Sequence, residues 1–325
     1  MISWGDIDEA IATVRAISSQ HWQLRGMIDV ATALAKTNPS LALELLRDAF
    51  QLATEQGKAV WTIYDMRDIA LAQALAGGAS EARASLERAI EAARSHREQS
   101  SRDTFLEIVA TGFVAAGLTA DGLALLTSMR GDWPRVRIAV AVGAAEAKLA
   151  RKTEAATAYN LAARLAEEGQ LAARPFLHAY IALSEASVGL AERVAISLDR
   201  MEISAAQLEG PSRATARATA AITRSQLSGG DVLATLAAIA DVDLRDAALR
   251  SLVERQIEKG RLDVARSAAL AVSAPMDRAF SLSRVVIAQA KAGELDNALA
   301  TLDAIPATHY RRVDALAAIA AALPR

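Results

Sequence analysis

The sequence has few of the residues that cross-link a chain, bind metals through sulfur or break helices. None of its 325 residues is cysteine, which excludes disulfides, thiolate catalysis and cysteine-based zinc sites. Aromatic residues make up only 4% of the chain, and no run shows the alternation of β-branched residues that is typical of a strand. Alanine, leucine, arginine and glutamate dominate instead, and this composition favours helices.

A net charge is almost absent as well. The 36 basic and 38 acidic residues give a formal net charge of −2 at pH 7. Binding to a nucleic-acid backbone needs an excess of lysine and arginine on one face of the protein. The balance of charges therefore gives no reason to expect nucleic acid as a partner, although it leaves a local basic stripe open.

Long apolar runs are missing too. The longest weakly charged run, residues 108–120, lies between Glu107 and Asp121 and is too short to span a bilayer. We expect it to form a buried helix and a turn. The first residues, Met1–Asp6, have neither the basic region nor the apolar core of a signal peptide. We therefore expect a cytoplasmic protein with no membrane insertion.

The sequence does contain a recurring corner. A glycine or another small residue is followed, five positions later, by a second small residue, and then by apolar residues at helical spacing. The pattern occurs nine times at intervals of 31 to 40 residues, which leaves room for two helices and two turns in each interval. The predicted units start near Gly5, Thr37, Gly77, Gly117, Ala150, Gly189, Gly229, Gly260 and Gly293.

Each position of the corner has a physical reason. Glycine tolerates the left-handed backbone that ends many helices, and the later small residue lets two helices cross closely. One helical hairpin cannot bury its apolar face alone, whereas a stack of hairpins buries a continuous core. The sequence therefore predicts an all-α fold, an α-solenoid of about nine hairpins and about 18 helices, in one continuous domain over residues 1–325.

Two corners carry a resemblance to a known family. Gly5–Ile11 (GDIDEAI) and Gly293–Leu299 (GELDNAL) resemble the corner of tetratricopeptide repeats, where a Gly-Asp-x-x-x-Ala-Leu/Ile run joins helix A to helix B. The resemblance implies a right-handed, TPR-like superhelix whose A helices line a concave face. Most units lack the Trp, Gly and Tyr positions that the family has in helix A, so the resemblance is to a tetratricopeptide-like repeat.

The register of that family leaves two interpretations of the chain ends. In this register the chain opens on a helix B and closes on a helix A, residues 310–323. Either the chain was cut from something longer, or its natural unit is a B-then-A hairpin. We favour the second interpretation, because it gives nine whole hairpins in 325 residues.

An arginine occurs near the start of the second helix of most units. Stacked units bring these arginines into one row, which can bind carboxylates of a partner peptide if the second helices line the concave face. The alternative is that each arginine pairs with a local acid or caps a neighbouring helix end. A chaperone C-terminus is not expected as the ligand, because the asparagine and lysine of that binding pattern are absent. The arginines are Arg25, Arg67, Arg102, Arg137, Arg174, Arg213 with Arg217, Arg245, Arg278 and Arg312.

Aromatic residues lie near several of the same helix starts. Tryptophan and tyrosine beside arginine are typical of protein interfaces, although these rings could also wedge between successive units as core. All four tryptophans lie in the first half of the chain, so a binding surface is expected there. The candidate partner-binding residues are Trp22, Arg25, Trp61, Tyr64, Arg67, Arg102, Trp133, Arg137, Arg174 and Tyr180.

No residue pattern indicates a catalytic, metal or cofactor site. The histidines, His21, His96, His178 and His309, are far apart, and no two have the i, i+4 spacing of a helical metal site. The run Asp241–Asp246 begins like a calcium loop, but an arginine stands where an oxygen ligand is needed. We therefore predict no cofactor, no metal and no enzyme activity.

These observations favour a non-enzymatic scaffold or adaptor that binds a protein or peptide partner along its concave helical surface. The alternative is a groove that binds a small molecule or nucleic acid or catalyses a reaction. That alternative needs a deep pocket with convergent polar groups, for example around His21 or His178. The chain is expected to be a monomer or a weak homo-oligomer.

Overall fold

The structure is a computed structural model that describes residues 4–55, 59–228, 232–237, 239 and 241–323. These residues form eighteen α-helices and no strand, which confirms the predicted all-α solenoid. Among them, no helix combines the length and the apolar character needed to cross a membrane. The helices are α1 (Trp4–Arg15), α2 (Gln20–Leu34), α3 (Pro39–Glu55), α4 (Ala59–Leu75), α5 (Ala79–Arg94), α6 (Gln99–Ala115), α7 (Thr119–Ala124), α8 (Asp132–Lys148), α9 (Lys152–Glu168), α10 (Arg174–Ser187), α11 (Ala191–Ala206), α12 (Gly210–Ser228), α13 (Val232–Ala237), α14 (Val242–Glu258), α15 (Leu262–Ala271), α16 (Pro275–Lys291), α17 (Leu295–Leu302) and α18 (Arg311–Ala322).

The helices group into two compact units. The first unit spans Met1–Gln170 with Ser187–Gly189, and the second spans Leu171–Ala186 with Leu190–Arg325. Each unit has its own apolar core, which includes Leu24, Ile63 and Phe113 in the first unit and Leu252 and Val285 in the second. The single continuous domain over residues 1–325 stays a prediction.

Both units are built from two layers of helices. In the first unit, α2 packs against α4, α4 against α6 and α6 against α8, so the even-numbered helices form one layer. In the second unit, α12, α14, α16 and α18 pack in the same sequential way. The odd-numbered helices pack against their neighbours in sequence, as α3 does on α2 and α5 on α4. This arrangement is what a stack of helical hairpins requires.

The left-handed backbone expected at the corners is present at six of them. The φ angles lie between 59° and 82°. The backbone N–H that follows each corner donates to the carbonyl five residues before it, as from Gly78 to Gln73 and from Leu118 to Phe113, both at 2.8 Å. This bond closes the last turn of the helix and satisfies a carbonyl that has no partner within the helix. The six corners are Gly77, Gly117, Ala150, Gly189, Gly260 and Gly293.

The other three corners differ. Thr37 follows α2 without a positive φ, and Asn38 there donates to the carbonyl of Leu34 at 2.8 Å. Gly5 lies in the first turn of α1 because the helix already begins at Trp4. Gly229 lies outside the described residues.

The small residue five positions after a corner is where two helices cross. Ala82, Ala155, Ala265 and Ala298 are each fully buried. At the equivalent Gly122, an added Cβ would approach the carbonyl oxygen of Ala110 to 2.9 Å, which is too close for a carbon atom. At four of these crossings the helices lie close enough to favour alanine, and at Gly122 only glycine fits.

Ala150 is the one residue other than glycine with a positive φ, 59°, in the part of the chain that the structure describes. Its Cβ strains this left-handed backbone. Replacing Ala150 with glycine is therefore expected to raise the free energy of unfolding by about 1 kcal/mol. The matched control is Ala147→Gly inside α8, which is expected to lower it by about 1 kcal/mol. Urea denaturation of both variants checks this, and a loss of stability in Ala150→Gly would contradict the strain.

A buried glutamine or glutamate lies four residues before five of the corners. Each of these residues is at most 5% exposed. Ser85 Oγ donates to Gln73 Oε1 at 2.8 Å, and Ser197 Oγ donates to Glu185 Oε2 at 2.7 Å. In both hairpins the hydrogen bond joins the end of one helix to the middle of the next, so it fixes their register. The five residues are Gln73, Glu146, Glu185, Gln256 and Gln289.

Glu185 makes the stability of the second unit depend on pH. Burial raises the pKa of its carboxyl, and the bonds from Ser197 and Arg193 offset this only in part. Because the folded pKa exceeds the unfolded one, the destabilising effect is fully present above the folded pKa and is relieved as the pH falls. Replacing Glu185 with glutamine removes this dependence.

We expect the free energy of unfolding of Glu185→Gln to be highest relative to that of the wild type at pH 7. As the pH falls to 4.5, the ordinary pKa of a glutamate, the wild type gains stability relative to the variant. Urea titrations of both proteins at several pH values measure it. A difference that is constant with pH, or that grows on acidification, would rule out the raised pKa.

Two buried aspartates hold the loops that precede even-numbered helices. Asp103 Oδ2 of α6 accepts hydrogen bonds from the backbone N–H groups of Arg130 at 3.1 Å and Gly131 at 2.7 Å. Asp246 of α14 holds the loop before α16 in the same way. Both carboxylates are less than 5% exposed. Each therefore links one even-numbered helix to the start of the next.

Candidate partner-binding surface

Two exposed tryptophans lie on neighbouring even-numbered helices of the first unit. Trp22 of α2 is 64% exposed, and Trp61 of α4 is 51% exposed. The ring of His21 contacts both edge-on, with centroids 5.1 Å from Trp22 and 5.8 Å from Trp61. The alternative that these tryptophans wedge between units as core is wrong for this pair. Exposed indole rings of this size are typical of interfaces.

Beside the tryptophans lies a network of charged residues. Arg25 pairs with Asp65 at 3.3 Å and with Asp68 at 2.5 Å. Arg67 pairs with the other oxygen of Asp68 at 2.7 Å, and its guanidinium carbon lies 5.6 Å from the ring centroid of Tyr64. Two cations thus face two anions. We call His21, Trp22, Arg25, Trp61, Tyr64 and Arg67 the tryptophan surface.

Asp65 is buried beneath the tryptophan surface and pairs with Arg25. Its side chain is only 1% exposed, and its Oδ1 has no hydrogen bond of good geometry. Burial raises the pKa of Asp65, while the charges of Arg25 and His21 lower it and that of Asp68 raises it. The position is therefore unfavourable for a carboxylate unless Arg25 stays beside it. Asp65 fixes the direction in which the Arg25 side chain points.

A second aromatic and arginine pair lies farther along the same layer of helices. Trp133 of α8 is 36% exposed, and Arg137 lies 5.5 Å from its ring centroid. Arg137 also pairs with Glu107 of α6 at 3.2 Å. The aliphatic stem of Arg67 lies against α6 at Gly112, where an added Cβ would approach Arg67 Cγ to 3.0 Å. Three even-numbered helices of the first unit, α2, α4 and α8, thus carry aromatic rings beside arginines that pair with acids.

Arg102 has a different role. Its Nη1 donates to the carbonyl oxygens of His96 at 2.8 Å and Arg97 at 2.6 Å, both in the loop between α5 and α6. Arg213 donates to the carbonyl of Ala206, the last residue of α11. The alternative of capping a neighbouring helix end therefore describes Arg213, whereas Arg102 holds the loop before its own helix. The predicted row mixes surface arginines with arginines that bind backbone carbonyls.

The structure brings together five of the ten candidate residues in the tryptophan surface and two more in the pair of Trp133 with Arg137. Arg102 is separate from both groups because it binds the loop between α5 and α6. Arg174 and Tyr180 lie on α10, in the second unit, and are partly buried. Their predicted role in partner binding stays a prediction.

Sequence reasoning missed the acids that hold the arginines in place. Asp65 and Asp68 lie three residues apart on α4, so the two carboxylates share one face of the helix. This spacing was visible in the sequence. Their pairing with Arg25 was not, because it depends on how α2 and α4 pack.

The structure shows no metal-binding cluster within the residues it describes: no three potential ligands lie together. The rejected calcium loop is the start of a helix, where the Asp241 side chain caps α14 by accepting from the backbone N–H of Leu244 at 3.0 Å. His96 packs against Phe105 with centroids 4.4 Å apart. These contacts of His96 and Asp241 stabilise the fold.

Comparisons with known proteins add a distant structural likeness only. No family model matches the sequence, and neither does any curated protein. The solved structure of Ton1535 from Thermococcus onnurineus NA1 aligns with 97% of this chain and 95% of its own, at 17% identity and a TM-score of 0.42. A likeness at this level assigns neither a family nor a function.

Proposed function

We propose that this chain is a non-enzymatic interaction scaffold that binds a partner polypeptide on the tryptophan surface. The observation that supports it most is the pair of exposed tryptophans, Trp22 and Trp61, on adjacent helices. Large exposed apolar groups rimmed by polar residues mark sites of protein association. A tetratricopeptide-like repeat of right-handed superhelical form, acting in the cytoplasm, is part of the proposal and rests on the corner motifs.

The charges of the surface indicate what kind of segment binds. Arg25 and Arg67 already pair with Asp65 and Asp68, so a partner carboxylate would have to compete with two acids that are in place. Competition of this kind leaves little net gain from a new ion pair. The favoured ligand is therefore a segment with one or two large apolar side chains that pack on the indole rings. Carboxylate capture by the arginine row is the less favoured mode.

Affinity capture with three versions of the full chain tests this function. The versions are the wild type, the double variant Trp22→Ala/Trp61→Ala, and Tyr310→Ala as the control, since Tyr310 is an aromatic residue of the second unit that is 59% exposed. The expected result is a protein retained by the wild type and the control but not by the double variant. Identical captured sets in all three versions would contradict the proposal.

A further inference from the structure

A cleft that differs chemically from the tryptophan surface lies in the second unit, between α11 and α12. It has a volume of about 530 Å³, which is within the range of small-molecule sites. Its floor is made of four alanines, two from each helix. Its rim carries Arg213, Arg217 and Arg224 from α12 and Glu202 from α11. The small floor residues leave the space open, and the long rim side chains surround it.

The spacing of the three arginines explains why they share the cleft. Arg213 and Arg217 are four residues apart, and Arg224 follows seven residues after Arg217. Both spacings return to the same face of an α-helix. One stripe of α12 therefore directs three guanidinium groups toward the same space. Sequence reasoning noted Arg213 with Arg217 as part of the arginine row but did not predict a cleft.

The cleft carries an excess of positive charge. Arg224 pairs with Glu202 at 2.7 Å, which neutralises one cation. Arg213 donates one N–H to the carbonyl of Ala206 and keeps its other donors and its full charge. Arg217 is exposed and makes no ion pair or hydrogen bond within the described part of the chain. Among the described residues that line the cleft, three cations and one anion leave a net charge of +2.

We propose that this cleft binds a small organic dianion, either a phosphate monoester or a dicarboxylate. Guanidinium groups bind such oxyanions through two parallel N–H donors, and two arginines one helical turn apart can hold one dianionic group between them. Arg217 and Arg213 supply these donors. Glu202 holds Arg224 to one side, and the alanine floor contacts the organic part of the ligand. This site is independent of the tryptophan surface.

Isothermal titration calorimetry of the full chain at low ionic strength tests the site with phenyl phosphate and with succinate. Binding of either probe is expected to weaken at least tenfold in Arg217→Gln and to weaken as salt is added. The control Arg278→Gln, an exposed arginine of α16 that does not line the cleft, is expected to bind like the wild type. Binding of phenyl phosphate but not succinate assigns a phosphate ester, and the reverse assigns a dicarboxylate.

A second variant keeps the proposal testable even where Arg217→Gln lowers stability. Glu202→Gln removes the one carboxylate among the described residues that line the cleft and is expected to tighten binding of the preferred probe severalfold. Heat of binding that is absent for both probes, or unchanged in Arg217→Gln, overturns the proposal. Weaker binding in Glu202→Gln also counts against it.

Discussion

Replacing Asp246 with alanine is expected to lower the free energy of unfolding by about 3 kcal/mol, since each hydrogen bond to a charged group contributes roughly 1.5 to 3 kcal/mol. The carboxylate accepts from the backbone N–H of Ser273 at 3.0 Å and of Ala274 at 2.8 Å, just before α16 begins. Removing it leaves both donors without their partner and frees the start of α16 from α14. Urea denaturation followed by circular dichroism measures the loss.

The control is Asp243→Ala in the first turn of the same helix. Asp243 is exposed, so its replacement is expected to change the free energy of unfolding by less than about 0.5 kcal/mol. Equal losses of unfolding free energy in the two variants would show that the hydrogen bonds to Ser273 and Ala274 do not stabilise the fold.

The loss in Asp246→Ala also depends on pH in a defined direction. Burial by itself raises the pKa of Asp246, but the hydrogen bonds from Ser273 and Ala274 together outweigh this effect, so the pKa lies below its ordinary value of 3.8. A depressed folded pKa gives stability that is present above the unfolded pKa and lost as the pH falls through the folded one. The gap between wild type and variant should therefore persist at pH 5 and narrow only below about pH 4.

Replacing either Trp22 or Trp61 with alanine is expected to weaken binding of the captured partner about 30-fold, which corresponds to the roughly 2 kcal/mol of a hot-spot tryptophan. Both rings are more than half exposed in the unbound chain, so the free energy of unfolding should change by less than about 0.5 kcal/mol. Binding is measured with the purified partner by calorimetry. Stability is measured on the same samples.

The two measurements together separate binding from folding. Tyr310→Ala removes an equally exposed aromatic side chain from the second unit and should leave the affinity unchanged. A tryptophan variant that loses affinity and stability in parallel would indicate a structural role. An unchanged affinity in both tryptophan variants would place the partner elsewhere.

The corners were predictable because their requirement is local. A helix that ends in a left-handed residue favours glycine there, and the sequence contains glycine at five of the six corners with positive φ. Ala150 was found through its spacing from Ala155. The buried polar residue four positions before the corner, such as Gln73 or Glu185, was equally regular in the sequence and was overlooked.

The arginine row was only partly predictable, because a position near the start of a helix does not determine on which side of that helix the arginine side chain lies. Arg102 and Arg245 both lie 15 residues before their corners, at Gly117 and Gly260, and both donate to backbone carbonyls. Arg137 lies 13 residues before Ala150. Two residues rotate a helical position by about 200°, so Arg137 leaves the helix on another side and contacts Glu107 and Trp133 instead.

The network around Asp65 could not be predicted from the sequence. Its partner Arg25 lies 40 residues earlier, and the two meet only because α2 packs against α4. The same holds for Asp246 and the loop before α16, which are 27 and 28 residues apart. Contacts of this kind depend on how separate helices pack, and the spacing of residues along one helix does not predict them.

The most direct test of the tryptophan surface is site-specific photo-crosslinking to the captured partner. A photoreactive amino acid at position 29 replaces Asp29, an exposed acid that follows Trp22 and Arg25 along one face of α2. The matched control replaces Glu44, an exposed acid of α3 in the other layer of the same hairpin. A covalent adduct is expected from position 29 and not from position 44. An adduct from position 44 alone would contradict the assignment of binding to the even-numbered helices.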